Sequence, residues 1–117
     1  MSSEVIYVDR FEIREGKTED FRRYADELIA LAADESGVTS LNYFADEDGT
    51  QGTAVIVFAD GAALDRYLDL VSPRFSEGVG LVSSTQIELL GDVSDRAADM
   101  AKAFGGSVKR TLTGLNR

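Results

Sequence analysis

Ala54-Val55-Ile56-Val57-Phe58 is apolar at every position. In an extended chain successive side chains point to opposite faces. Val55 and Val57 therefore look one way, and Ala54, Ile56 and Phe58 look the other. A sheet with one wet face alternates apolar and polar residues. This stretch does not alternate, so both faces of its sheet demand cover. Val5 to Val8 shows the same doubling.

Outward from that strand the chain punctuates itself. Val5 to Arg14 reads as a first strand, with Val5, Tyr7, Phe11 and Ile13 on one face, and Gly16 breaks it. Thr18 reads as a helix N-cap, with Glu19 and Asp20 complementing the dipole of the first turn. Phe21, Tyr24, Ala25, Leu28 and Ala32 then recur at helical spacing, and Gly37 is the expected C-cap. Val38 to Ala45 and Thr53 to Phe58 form a hairpin around the polar turn Asp46-Glu47-Asp48-Gly49. Asp60 caps a second helix striped by Leu64, Tyr67, Leu68, Val71 and Phe75, and Pro73 should kink or stop it. A fourth strand runs from about Leu81 to Leu90. Ser94 caps a short helix carrying Ala97, Met100, Ala101 and Phe104, and Val108 to Leu112 reads as a last short strand. Neither a linker nor a repeat divides residues 1–117, so one domain is expected.

The order is β-α-β-β-α-β followed by α-β. This is the α+β, ferredoxin-like split βαβ arrangement on an antiparallel sheet. Both crossovers are right-handed, so both long helices land on one face. The short C-terminal helix would cover only part of the other. A second copy, pairing sheet to sheet, covers it all at about 25 cal/mol per Å² of apolar area removed from water. A homodimer is therefore expected.

Composition narrows the chemistry. The 117 residues contain neither cysteine nor histidine. That removes thiol nucleophiles, disulfides, the commonest general base and the commonest metal ligand. No cofactor and no metal site are expected, and an all-carboxylate site is the remaining metal chemistry. The net charge of -9 repels phosphate backbones and anionic lipid heads, so nucleic-acid partners are not expected. Lysine occurs only at positions 17, 102 and 109. No segment has the length of a membrane span, and Met1-Ser2-Ser3-Glu4 does not read as a leader; a cytoplasmic location is expected.

Three stretches carry a resemblance. Phe11-Glu12-Ile13-Arg14-Glu15-Gly16-Lys17-Thr18-Glu19-Asp20-Phe21 resembles the first strand-to-helix junction of the dimeric α+β barrel proteins, in their antibiotic biosynthesis monooxygenase-like branch. Leu64 to Phe75, ending Val71-Ser72-Pro73-Arg74-Phe75, is similar to that group's second helix. The tail from Ile87-Glu88-Leu89-Leu90-Gly91 through Phe104-Gly105-Gly106 to Leu112-Thr113-Gly114 also fits. The resemblance implies a homodimer with a barrel between its sheets and a small cavity between each sheet and its helices. It implies cofactor-free oxidation of quinol-like or polyketide aromatics in some members, and polyketide cyclisation or haem binding in others. The chain departs from the group in having Asp69 and Arg74 where relatives often carry histidine near the end of the second helix. It also has no tryptophan. Haem degradation is effectively excluded.

The candidate site residues are Asn42, Tyr43, Tyr67 and Arg74. Either Asn42 or Tyr43 points under the helices, where it would hold a phenolic or enolate oxygen as an oxyanion donor does. The alternative is a polar residue satisfied by backbone or lying at a dimer seam. Tyr67, like Tyr7 and Tyr24, sits on an apolar face and reads equally as core. Arg74 would grip an anionic group bidentately, or pair at the surface with Asp69 or Glu77. Ser83, Ser84, Thr85 and Gln86 make strand four polar, lining an interior or meeting solvent. Three functions stay open: a cofactor-independent monooxygenase-like enzyme, a non-catalytic homodimer binding a small hydrophobic or aromatic ligand or a partner, and a cyclase or isomerase.

Overall fold

A computed structural model describes residues 3–115. Met1 and Ser2, part of the stretch read for a leader, lie outside the described residues. The elements are β1 (Val5–Ile13), α1 (Thr18–Ala32), β2 (Val38–Ala45), β3 (Gln51–Phe58), α2 (Gly61–Val71), a 3-10 turn (Ser72–Arg74), α3 (Phe75–Val79), β4 (Val82–Leu90), α4 (Asp95–Ala103) and β5 (Ser107–Lys109). The sheet runs β2-β3-β1-β4-β5 and is open. The split βαβ order holds: β1 is central and pairs antiparallel with β3 and β4, and β2 pairs antiparallel with β3.

Three local expectations need correction. The sheet is mixed, because β5 pairs parallel to β4 and spans Ser107–Lys109 rather than Val108 to Leu112. Thr18 does not cap α1 but is its first residue; its hydroxyl instead donates to the Gly49 carbonyl at 3.1 Å, tying the helix start to the β2–β3 turn. Gly37 does not end α1: the Ala33 amide still donates to the Ile29 carbonyl, and the chain then turns into β2. The second helix does stop at Pro73 as read, with α2 ending at Val71. Pro73 has no N–H, and the chain tightens into a 3-10 turn before re-forming α3.

The two other caps form as read. Asp60 accepts from the Ala63 amide at 2.9 Å. Ser94 accepts from the Ala97 amide at 3.1 Å, and its hydroxyl donates to Asp65 at 2.7 Å.

Helix burial follows the stripes. Phe21, Leu28, Leu64, Leu68, Val71, Ala97 and Ala101 join Val5, Tyr7, Phe11, Ile56, Phe58 and Leu89 in one core. All of these strand residues lie on the same face of the sheet. The short C-terminal helix α4 packs into that core too, beside α2, rather than covering the opposite face. The opposite face carries Ile6, Val8, Val55, Val57 and Leu90 by register, with no helix over it.

β5 docks against β4 through a close approach at Gly106. Its amide donates to the Ala101 carbonyl at 2.8 Å, and a Cβ there would fall 1.5 Å from the Ile87 carbonyl oxygen. Backbone cannot give way as a side chain does. Gly106→Ala is expected to lose about 3 kcal/mol, read as a lower urea midpoint. An unchanged midpoint would show that β5 contributes little.

Candidate functional site

The inward face of β1 reads Val5, Tyr7, Asp9, Phe11, Ile13. Four of these five join the core; Asp9 alone is partly exposed. It sits between Ala54 of β3 and Ile87 of β4. Beneath α1, α2 and α3 this part of the sheet leaves a cavity of about 80 Å³. All four tyrosines of the chain line it: Tyr7 from β1, Tyr24 from α1, Tyr43 from β2 and Tyr67 from α2. Among the described residues, Asp9 is the one charged side chain in the lining.

The Thr85 hydroxyl donates to Asp9 Oδ1 at 2.5 Å. Shelter from water nevertheless dominates and pushes the Asp9 carboxyl up to about 6, with the Thr85 bond opposing. The phenols move the same way. Burial raises Tyr7 well above its ordinary value, and the Asp9 charge adds to it. Burial lifts Tyr24 to about 12, aided by Glu77 and opposed by Arg74. Tyr43 and Tyr67 are also raised by burial. The Tyr24 hydroxyl donates to the Arg74 carbonyl at 3.2 Å.

At neutral pH, then, one carboxylate faces four protonated phenols in a mostly apolar enclosure. The carboxylate can take a proton. A phenol can donate to the oxygen on which charge develops. Rings fix the donors in place: Tyr67 lies edge-on to Tyr7 with centroids 6.4 Å apart, and Tyr43 packs on Phe11 and Phe21.

Two of the four candidate residues meet here, and two do not. Tyr43 and Tyr67 enter the cavity. Asn42 pairs with Val55, so the pleat turns it to the opposite face, where it is exposed. Arg74 stays outside. It pairs with Glu27, and its Nε donates to Glu77 at 3.0 Å. Asp69 is engaged by Arg96 instead. Of the polar stretch in β4, Thr85 faces inward, while Ser84 and Gln86 pair with the outward residues Glu12 and Arg10.

Asp9 is the residue that the strand's apolar pattern concealed. The available signal was the single carboxylate interrupting an inward apolar series. Tyr7 and Tyr24 were legible as core, and both also line the cavity that holds Asp9.

The cavity meets solvent beside α3. Val79 lines it and is 51% exposed. Gly78 lets α3 seat directly on Tyr24, since a Cβ there would fall 2.6 Å from the Tyr24 hydroxyl oxygen. Among the described residues no group of three or more acidic side chains is placed to hold a metal ion. No helix is long and apolar enough to cross a membrane.

An open sheet, helices on one face and a phenol-lined cavity between them define a small α+β protein built around a small-molecule site. The chain belongs to the antibiotic biosynthesis monooxygenase family, whose sequence model matches residues 5–78. Solved structures agree in fold. MupZ from Pseudomonas fluorescens is similar over 99% of this chain and 96% of its own, with a TM-score of 0.84 at 22% identity. SnoaB, a cofactor-independent oxygenase from Streptomyces nogalater, is similar over 80% of this chain and 96% of its own, with a TM-score of 0.68 at 20% identity. Protein SO0527 from Shewanella oneidensis is similar over 76% and 90%, with a TM-score of 0.68 at 27% identity. No curated protein sequence matches the chain.

Proposed function

We propose that the protein is a cofactor-independent monooxygenase-like enzyme acting on a quinol-like or polyketide-type aromatic. The observation that carries this reading is Asp9, a carboxylate with a raised pKa facing phenol donors inside the cavity. Asp9 takes a proton from an activated methylene beside a carbonyl. Tyr7 or Tyr67 donates to the enolate oxygen. The carbanion then reduces dioxygen, giving a peroxide that collapses to a new carbonyl and water. One oxygen atom enters the product and the other leaves as water. The substrate supplies all four electrons, so no external reductant is needed.

The cavity volume of about 80 Å³ is smaller than the roughly 300 Å³ of ordinary ligand sites. A fused aromatic therefore enters only if α3 lifts from Tyr24. Oxygen uptake with anthrone-like and quinol substrates tests the reading. The expected result is uptake matched by product; silence across such a panel removes its main support and leaves a non-catalytic binding module.

A second reading, a cyclase or isomerase, is favoured by the presence of acid and base in one cavity. It predicts conversion without oxygen uptake.

The uncovered sheet face supports a homodimer as part of the same proposal, and a cytoplasmic location is proposed with it. Ile6, Val8, Val55, Val57 and Leu90 form an apolar patch there, and Phe44 is 57% exposed on the same side. A second copy laid sheet to sheet buries it.

A further inference from the structure

We propose that the cavity also takes a small organic cation, a methylated ammonium or protonated amine, held between Asp9 and the tyrosine rings. The proposal needs the cavity but not the oxygen chemistry above.

Charge is the first reason. Asp9 is sheltered from water, and its one hydrogen bond shown comes from the neutral hydroxyl of Thr85. Among the described residues, no lysine or arginine lines the cavity. Arg74 is already held by Glu27 and Glu77, and Arg10 lies on the opposite face beside Glu88. A sheltered carboxylate without a counter-charge is costly, and a cationic occupant supplies the missing charge.

The wall is the second reason. Tyr7, Tyr24, Tyr43 and Tyr67 surround the space from four different elements. Aromatic faces attract ammonium groups, most strongly when desolvated. Size is the third. One water occupies roughly 10–15 Å³, so a cavity of about 80 Å³ holds a group of a few heavy atoms. A trimethylated ammonium head has that size. An anion meets Asp9 without any cation to offset it.

Calorimetric titration compares choline with dimethylbutanol, in which carbon replaces the nitrogen. The expected result is choline binding at least about tenfold tighter. Asp9→Asn should keep the alcohol, melt no lower than the native chain, and lose the preference. The groups facing Asp9 are Tyr7, Thr85, Tyr24, Tyr43 and Tyr67, none of which ionises between pH 5 and pH 8. Choline affinity should therefore fall about tenfold from pH 8 to pH 5, following Asp9 alone.

Equal binding of both compounds, tighter binding of the alcohol, binding of neither, or a preference that survives Asp9→Asn would each overturn the proposal. A protein that prefers choline yet consumes no oxygen fails the monooxygenase reading only. One that consumes oxygen without any preference fails this proposal only.

Discussion

Asp9→Asn is expected to lower turnover by roughly 10²–10⁴-fold, the usual contribution of a positioned general base. Asparagine keeps the shape and can still accept from Thr85, but it cannot take a proton. The loss should fall on kcat, with a much smaller change in KM. Stability should move the opposite way. The folded Asp9 carboxyl titrates near 6, above its ordinary value of 3.8, because the site disfavours the charged form. A group raised on folding contributes stability that is complete below the unfolded pKa and is lost as pH rises through the folded pKa. Between about pH 4 and pH 6 the native protein should lose up to about 3 kcal/mol from this one group. Asp9→Asn removes that slope, so urea unfolding at pH 8 should find the variant more stable than the native chain. An inactive variant that is also destabilised at pH 8 would mean that Asp9 serves the fold.

Val55→Asp should convert the proposed dimer to a monomer. Val55 lies opposite Val8 of β1 and Asn42 of β2, in the middle of the uncovered face. A carboxylate there would be buried against its copy without a partner, costing several kcal/mol at each of two symmetric positions. The helix-covered core does not include Val55, so the monomer should keep its helical signal. Sedimentation velocity at micromolar concentration reads the result. A native chain that sediments as a monomer would overturn the proposed dimer, and a Val55→Asp chain that remains a dimer would place the interface elsewhere.

Most of the architecture could be read from the chain because burial writes itself as periodicity. Val38–Ala45 matches its expected bounds, the stripe on α1 is its set of buried residues, and Leu64, Tyr67, Leu68 and Val71 are buried on α2, whereas Phe75 falls in α3 and is half-buried. What failed was local and competitive. Thr18 has a hydroxyl suited to capping, yet a carbonyl of the neighbouring turn claims it. β5 is too short for its pattern to reveal direction, and its parallel pairing depends on the approach at Gly106.

The site was less legible, for a related reason. Asn42 and Tyr43 are neighbours, and only the register with Val55 and Ala54 decides which one faces the helices. Arg74 was ambiguous because its partners, Glu27 and Glu77, come from two different helices. Asp9 belongs to an otherwise apolar series, and its role emerges only when Thr85 and the four tyrosines from five elements converge on it.

The Asp9 carboxyl is the centre of this account, and carbon-detected NMR of its side chain across pH tests it most directly. The account predicts a single titration near pH 6, absent in Asp9→Asn. A carboxyl that titrates near 4, as an exposed aspartate does, would contradict it.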